Sequence, residues 1–326
     1  MNSREIILAN IEHTPAPRPG MTFGGGRLND MAWTGPGASK TYTPKRWTEG
    51  GREYYDDEWG NLWVRMVGGS VKGEIHTPAL QSWDDLPKLQ LPDYHDPDRW
   101  KGVREMLAQP TDRFTIVGIG GWIFDNARYL RKMENYFCDM AAEPEKIKQL
   151  NALVAGVYEA KIHHAGQAGA DGIMIGEDLG TQNGPLFSPA MFREFFKADY
   201  TRLLGIAHDY GMKVLMHSCG NNWKLIDDLI DVGVDVFQFD QPALYDMPAL
   251  AEKLRARGGA LWSPVDIQKV LPTGDRAYIE TQTHRMCETF SGMLICKDYP
   301  DLPGIGVKVE WDQWAYEAIL DHFGLK

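Results

Sequence analysis

Several features that would assign a chain to a common class of protein are missing from this sequence. No apolar run approaches the roughly 18 residues of a membrane-spanning helix. Only four cysteines occur among 326 residues, too few for a disulfide framework. The net charge is −11, whereas nucleic-acid-binding surfaces are normally basic. We therefore expect a protein that binds neither a membrane nor a nucleic acid.

Two nucleotide-binding motifs are also missing. No GxGxxG follows a predicted strand, and there is no P-loop. The first residues, MNSREIILANIEHTP, have neither the apolar stretch nor the cleavage site of a secretory signal. We therefore expect a cytoplasmic location, where thiols serve as metal ligands, nucleophiles or core residues rather than as disulfides.

The composition allows a substantial core, with 43% hydrophobic and 24% charged residues. Residues 1–111 are irregular: a short helix is predicted over 4–11 and a strand near 21–23, followed by loops and hairpins. This segment is also aromatic. We expect its rings to pack as a cap against the rest of the protein in preference to contacting a ligand. They are Tyr54, Tyr55, Trp59, Trp63 and Trp83.

Residues 112–326 alternate between short β-rich runs and longer helical ones. Strands are predicted over 114–118, 172–176, 213–217, 234–239, 260–263 and 292–296. Helices are predicted over 131–168, 188–210, 221–232, 247–257, 275–290 and 311–322. Such alternation is typical of a parallel sheet.

The positions of the reactive side chains favour a closed barrel over an open sheet. They lie at or just after the carboxyl ends of strands: Glu177, Asp178, His217, Cys219, Gln238, Asp240, Asp266 and Cys296. In a barrel these ends converge on one mouth. The sequence therefore predicts an α/β protein, a (β/α)8 TIM barrel forming one domain over 1–326. An irregular N-terminal region (1–111) precedes regular βα repeats (112–326), and the eighth strand is not assigned.

The segment KVLMHSCGN is the strongest local signal for a metal site. Because strand side chains alternate, His217 and Cys219 face the same side and Ser218 faces away. Cys296 ends another predicted strand and would supply a third ligand. An imidazole and two thiolates suit zinc and leave one position open for substrate. The alternative is that these cysteines are small core residues.

The segment GEDLGTQNGPLFSP contains two acids at the end of a strand. Glu177 and Asp178 are adjacent, so at most one of them faces the barrel axis. One interpretation is a carboxylate beside the metal or the substrate. The other is a loop fixed by hydrogen bonds from side chains to the backbone.

The run over 176–243, which contains both segments, resembles the uroporphyrinogen decarboxylase-like superfamily, and within it the zinc-dependent, corrinoid-linked methyltransferases. The resemblance extends over most of the chain. It implies a (β/α)8 barrel with a His-x-Cys…Cys zinc motif, which falls on His217, Cys219 and Cys296. Decarboxylases of the superfamily carry an arginine-rich N-terminal motif where this chain has FGGGRLND, and they lack the His-x-Cys motif. A decarboxylase is therefore less expected.

The resemblance implies two possible roles for the enzyme. One is to move a methyl group from a methoxylated aromatic compound to the cobalt of a corrinoid protein; the other is to move it from the corrinoid to a thiol such as coenzyme M. We favour O-demethylation because apolar residues, mostly aromatic, are predicted near the mouth: Trp122, Phe124, Met174, Phe187, Phe239, Tyr245 and Trp262. The chain has no DxHxxG corrinoid motif, so a separate protein would carry the cobalamin. A non-catalytic relative with a structural zinc is the remaining alternative, and a homodimer is compatible with each role.

Further site residues are predicted from their places at strand ends and in the loops that follow. Glu177 is predicted as a displaceable fourth zinc ligand whose pKa is raised by burial once it leaves the metal. Substrate contacts are predicted for Trp122, Asp178, Gln182, Gln238, Asp240 and Trp262.

Overall fold

The computed structural model describes residues 1–68 and 73–325. Its strands are β1 (Gly20–Thr22), β2 (Met31–Thr34), β3 (Arg46–Glu49), β4 (Arg52–Asp56), β5 (Leu62–Met66), β6 (Glu74–Thr77), β7 (Phe114–Gly118), β8 (Gly172–Gly176), β9 (Lys213–His217), β10 (Val236–Gln238), β11 (Ala260–Ser263) and β12 (Leu294–Lys297). Its helices are α1 (Ser3–Ile11), α2 (Lys101–Leu107), α3 (Ile123–Arg131), α4 (Met133–Ala142), α5 (Pro144–Gln167), α6 (Pro189–Phe195), α7 (Lys197–Asp209), α8 (Ile226–Asp231), α9 (Met247–Arg257), α10 (Arg276–Thr289) and α11 (Val309–His322).

Eight parallel strands form the predicted barrel. Their order is β1-β12-β11-β10-β9-β8-β7-β2, so strands β7 to β12 each lie beside their neighbours in the chain. The two end strands approach each other where the Asp30 amide donates to the Met21 carbonyl at 2.6 Å, and the sheet becomes a nearly closed ring. The TIM-barrel prediction is confirmed. Strand β2 is the eighth strand, which the sequence did not assign because it is only four residues long and half-exposed.

The barrel strands are apolar on both faces, as expected for a parallel sheet covered by helices. Strands β7 and β8, for example, read FTIVG and GIMIG, and most of their side chains are buried. The parallel pairing of the strands places their carboxyl ends at one mouth, where the loops carry the polar residues.

The N-terminal region contains a small sheet that the sequence predicted only as loops and short hairpins. Strands β3 to β6 pair antiparallel in chain order. On this sheet Trp63 stacks on Tyr55, with ring centroids 6.2 Å apart, and its indole donates to Asp57 at 2.6 Å. Trp63 also packs edge-on against Tyr129 of α3, which connects the small sheet to the barrel.

Some predicted helices are divided in the structure. The predicted helix over 131–168 is α4 followed by α5, which begins at Pro144 because proline is favoured in the first turn. The predicted helix over 188–210 is α6 and α7, separated at Phe196. Within the described ranges, no helix combines the length and the apolar character that a membrane span requires.

Candidate metal centre

The turn after β9 places His217 and Cys219 on the same side, as the alternation of strand side chains predicts. Ser218 points the other way and is buried. Its hydroxyl accepts hydrogen bonds from the Leu179 amide at 3.1 Å and from the Asn222 side chain at 3.0 Å. The side chain between the two candidate ligands therefore holds the turn in place.

Two glycines bring the loop after β8 against this turn. Gly220 has a φ of +78°, and a Cβ there would lie 2.4 Å from the backbone of Gly180. The Gly180 amide also donates to the Cys219 carbonyl at 3.2 Å. This close approach, which only glycine allows, brings Asp178 beside Cys219.

Asp178, His217 and Cys219 form a cluster whose ligand atoms all lie within 4.8 Å of one another. The His217 Nε2 is 3.3 Å from the Cys219 Sγ and 3.5 Å from the Asp178 Oδ1. Standard zinc–ligand lengths at a tetrahedral angle would separate such atoms by about 3.5 Å. The oxygen, nitrogen and sulfur donors therefore lie close enough together to hold one metal ion.

A chain of hydrogen bonds orients the His217 ring. The His217 Nδ1 lies 2.5 Å from the Gln238 Oε1, and the Gln238 amide nitrogen donates to Asp240 at 2.6 Å. Lys297 donates to the same Asp240 oxygen at 3.0 Å. Since a carboxylate only accepts, the Gln238 amide must point its oxygen at His217. In its neutral, metal-binding form the ring therefore carries its proton on Nδ1 and directs the Nε2 lone pair at the cluster. Hydrogen-bond partners commonly orient metal-binding histidines in this way.

The Gln238→Leu variant tests this orientation. It removes the acceptor for Nδ1 at nearly constant volume, so we expect zinc to bind about 10- to 100-fold more weakly while the barrel stays folded. Competition with a zinc chelator measures the affinity, and circular dichroism checks the fold. Unchanged zinc affinity would show that Gln238 does not orient the ligand.

The electrostatics of the cluster favour a positive charge. Burial lowers the pKa of His217, but hydrogen bonds to Asp178 and Cys219 and the charges of Cys219 and Asp240 raise it to about 10. These neighbours are negatively charged when ionised; Asp178 and Cys219 lie beside Nε2, and Asp240 lies 4.0 Å from Nδ1. A metal cation can replace the proton on Nε2, because it balances the same negative charges.

A cavity of about 590 Å³ opens beside the cluster, within the size range of small-molecule sites. Asp178 and His217 form part of its wall. Its aromatic lining comes from the N-terminal region and α3: Trp59, Trp63, Tyr94 and Tyr129.

Comparison with known proteins then identifies the family. The sequence model of one protein family, described as uroporphyrinogen decarboxylase (URO-D), matches residues 61–296, which is more than two thirds of the chain. The chain belongs to the URO-D family. The resemblance to the uroporphyrinogen decarboxylase-like superfamily is thus confirmed.

Solved structures are similar to this URO-D chain at low sequence identity. A methyltransferase from Methanosarcina mazei is 16% identical with a TM-score of 0.58, over 77% of this chain and 72% of that one. A B12-independent methionine synthase from a Shewanella species is 12% identical with a TM-score of 0.46, over 69% of this chain and 66% of that one. No curated protein matches the sequence. At these identities the likeness concerns the fold alone.

The URO-D barrel does not bring Cys296 to the cluster. The Cys296 thiol hydrogen-bonds Cys287 of α10, and this contact together with burial raises its pKa well above the usual range. The next residue, Lys297, reaches Asp240 beside His217. Because strand side chains alternate, Cys296 faces the helix layer. The structure therefore places Cys296, predicted as the third ligand, outside the cluster, and Asp178 lies beside His217 and Cys219 instead.

Glu177, predicted as a displaceable fourth ligand, also lies outside the cluster. Its side chain is fully buried, and its Oε1 accepts from the Asp125 amide at 3.1 Å. Its Oε2 has no hydrogen-bond partner among the described residues. Burial and the charge of Asp125 raise its pKa well above the usual range. Of the two adjacent acids, Asp178 faces the cluster and Glu177 is a buried acid in the wall of the cavity.

The raised pKa of Glu177 predicts a pH dependence of stability. Folded protein keeps a proton that the unfolded chain releases above about pH 4.3. The free energy of unfolding should therefore fall as pH rises towards the folded-state pKa, by up to about 1.4 kcal/mol per pH unit. Glu177→Gln should remove this fall, and the exposed Glu145→Gln should keep it. Urea unfolding between pH 5 and 8, with metal chelated, measures the slopes; equal slopes in all three proteins would contradict the assignment.

Most of the residues predicted to contact the substrate lie away from the cavity. Trp122 is buried against Tyr158, with centroids 4.8 Å apart, and Trp262 packs on Trp33 at 5.7 Å. Gln182 is exposed in the loop after β8. Gln238 and Asp240 belong to the hydrogen-bond chain that orients His217. Of the six residues predicted to contact the substrate, only Asp178 lines the cavity. Phe124 and Phe187, predicted near the mouth, pack against each other at 5.1 Å.

The sequence did not identify the aromatic residues and the lysine that line the cavity. Trp59 and Trp63 belong to the cap aromatics, which were expected mainly to pack against the barrel. Tyr94, Tyr129 and Lys161 lie in a loop and two helices without a motif. Their spacing carries no signal, because the tertiary fold alone brings them together.

Proposed function

We propose that this chain is a zinc-dependent methyltransferase that moves the methyl group of an aryl methyl ether to the cobalt(I) of a separate corrinoid protein. The observation that supports this most is the position of the Asp178–His217–Cys219 cluster beside a cavity with aromatic sides, whose wall includes Asp178 and His217. Trp59 and Trp63 offer flat apolar faces for an aromatic ring. An ether oxygen in the same cavity can approach the cluster.

The donor set fits zinc. One thiolate, one carboxylate and a neutral imidazole balance the two charges of Zn²⁺, and three protein ligands are typical of catalytic rather than structural zinc. When bound, zinc would supply a Lewis acid that stabilises negative charge on the departing oxygen. Asp178, His217 and Cys219 would hold it.

The chain's own residues then position the reactants. The hydrogen bond to Gln238 holds the His217 ring, and the indoles of Trp59 and Trp63 cover one side of the substrate. In the transfer, the bond between oxygen and the methyl carbon breaks, and its electrons stay on oxygen. Cobalt(I) supplies the pair for the new bond to carbon, and the released phenolate takes a proton from water. Such an in-line displacement depends mainly on position and charge.

The cavity is unlike a site for a substrate with several carboxylates. Arg27, from the segment FGGGRLND, pairs with Asp298 at 2.6 Å and with Asp312 at 2.7 Å. Of the described residues that line the cavity, none is an arginine. This arrangement supports methyl transfer over decarboxylation of a porphyrinogen.

The direct test is methyl transfer in solution. Zinc-loaded protein mixed with a cobalt(I) corrinoid protein and a methoxylated aromatic donor should convert the cobalt absorbance to that of the methylated form. Cys219→Ser should abolish the change, whereas Cys138→Ser, at an exposed helix position, should not. Methyl transfer only to small thiols would support the thiol role instead, and release of CO₂ from a porphyrinogen would overturn both.

A further inference from the structure

Lys161 is a buried lysine in the wall of the same cavity. It lies on α5 and is 3% exposed. Its ammonium group donates to the Ile119 carbonyl at 2.7 Å and lies 4.1 Å from the ring centre of Tyr94 and 4.6 Å from that of Tyr158. A lysine so deeply buried normally has a carboxylate partner.

The neighbouring charged residues leave Lys161 without a carboxylate partner. Arg99 binds both carboxylate oxygens of Glu58, at 2.6 and 2.9 Å, and its guanidinium lies 3.7 Å from the centre of the Tyr94 ring. Glu58 therefore already has a cationic partner. In the described part of the chain, Lys161 forms no ion pair with a carboxylate. The group contains two cations and one anion, and Lys161 is the member of the group that lines the cavity.

Burial and the charge of Arg99 lower the pKa of Lys161 to about 7. The amine is thus held partly neutral near neutral pH by the absence of a second negative charge. An anion bound in the cavity would restore the charged form and supply the missing partner.

We infer that Lys161 binds the carboxylate of the substrate, so that the substrate class is an aromatic acid. The lysine binds near Ile119, just after β7, while His217 ends β9. These strands are separated only by β8, so their ends lie about 10 Å apart. A benzene ring with groups at opposite ends can span that distance, with its carboxylate at Lys161 and its ether oxygen towards His217. The ether part of this assignment rests on the proposed function; the carboxylate part does not.

Calorimetric binding to the zinc-loaded full chain at pH 7 tests the inference. The wild type should bind 4-methoxybenzoate about 10- to 100-fold more tightly than 4-methoxybenzamide, because only the acid pairs with the lysine. Lys161→Met should lose this preference. Lys148→Met, which removes a partly exposed lysine on the same helix, should keep it. Lys161→Gln provides a second variant if the methionine variant does not fold.

Equal affinity of the wild type for acid and amide, or an unchanged preference in the Lys161 variants, would overturn the inference. Benzoate and benzamide separate this result from the proposed function, because they contain no methyl ether. A preference for benzoate that depends on Lys161, with no methyl transfer from any ether, would refute the function and retain the inference. Demethylation of acid and amide with equal efficiency would refute the inference and retain the function.

Discussion

Cys219→Ser should remove most of the zinc, whereas Cys296→Ser should leave it in place. Cys219 supplies the sulfur of the cluster, 3.3 Å from the His217 Nε2, and a serine hydroxyl is a far poorer zinc ligand. We expect affinity to fall by more than the roughly 10- to 100-fold typical when a residue that hydrogen-bonds a metal ligand is changed. Zinc content after dialysis against a chelator gives the comparison directly.

The Cys296 variant is the matched control because it makes the same chemical change in the same barrel. Its side chain faces Cys287 in the helix layer, so Cys296→Ser should affect stability rather than metal binding. A buried hydroxyl there costs about 1–3 kcal/mol. Equal loss of zinc in both variants would restore Cys296 as a ligand.

Asp178→Asn should weaken zinc binding and methyl transfer together, whereas the adjacent Glu177→Gln should leave zinc affinity near that of the wild type. An asparagine oxygen can still accept the hydrogen bond that the Cys219 amide makes to Asp178 at 3.2 Å. The loop therefore keeps its shape while the site loses a negative ligand. We expect at least about a 100-fold loss of zinc affinity in Asp178→Asn, larger than the loss from changing a residue that only hydrogen-bonds a ligand.

These two variants change neighbouring carboxylates into amides and differ only in which one faces the metal. Zinc affinity is measured by competition with a chelator, and turnover by the cobalt absorbance of the corrinoid protein. A loss of zinc in Glu177→Gln with none in Asp178→Asn would reverse the assignment. A loss of turnover in Glu177→Gln at full zinc occupancy would instead assign the buried acid to the reaction.

The sequence predicted the barrel and two of the three cluster residues because both depend on local patterns. Alternation of strands and helices is repeated along the chain, and a His-x-Cys pair at a strand end has its facing set by period-two alternation. The prediction of the third ligand depended on which residue ends β12. The sequence placed that end at Cys296, but the strand continues to Lys297, which faces Asp240. One residue of difference reverses which side chain faces the mouth.

Other parts of the site depend on contacts between distant segments. The sequence restricted Glu177 and Asp178 to opposite faces but did not show which one faces the axis. That choice follows from the contact between Gly180 and Gly220. Lys161 lies in an ordinary helical pattern, and its burial arises only when the loop carrying Tyr94 packs over α5. Neither contact leaves a periodic signal in the sequence.

X-ray absorption at the zinc edge of the loaded protein tests the central claim most directly. A site formed by Asp178, His217 and Cys219 should show one sulfur scatterer at about 2.3 Å, with the remaining ligands nitrogen or oxygen at about 2.0–2.2 Å. Cys219→Ser should remove the sulfur scatterer, and Cys296→Ser should not change it. Two sulfur scatterers in the wild type, reduced to one in Cys296→Ser, would contradict the account.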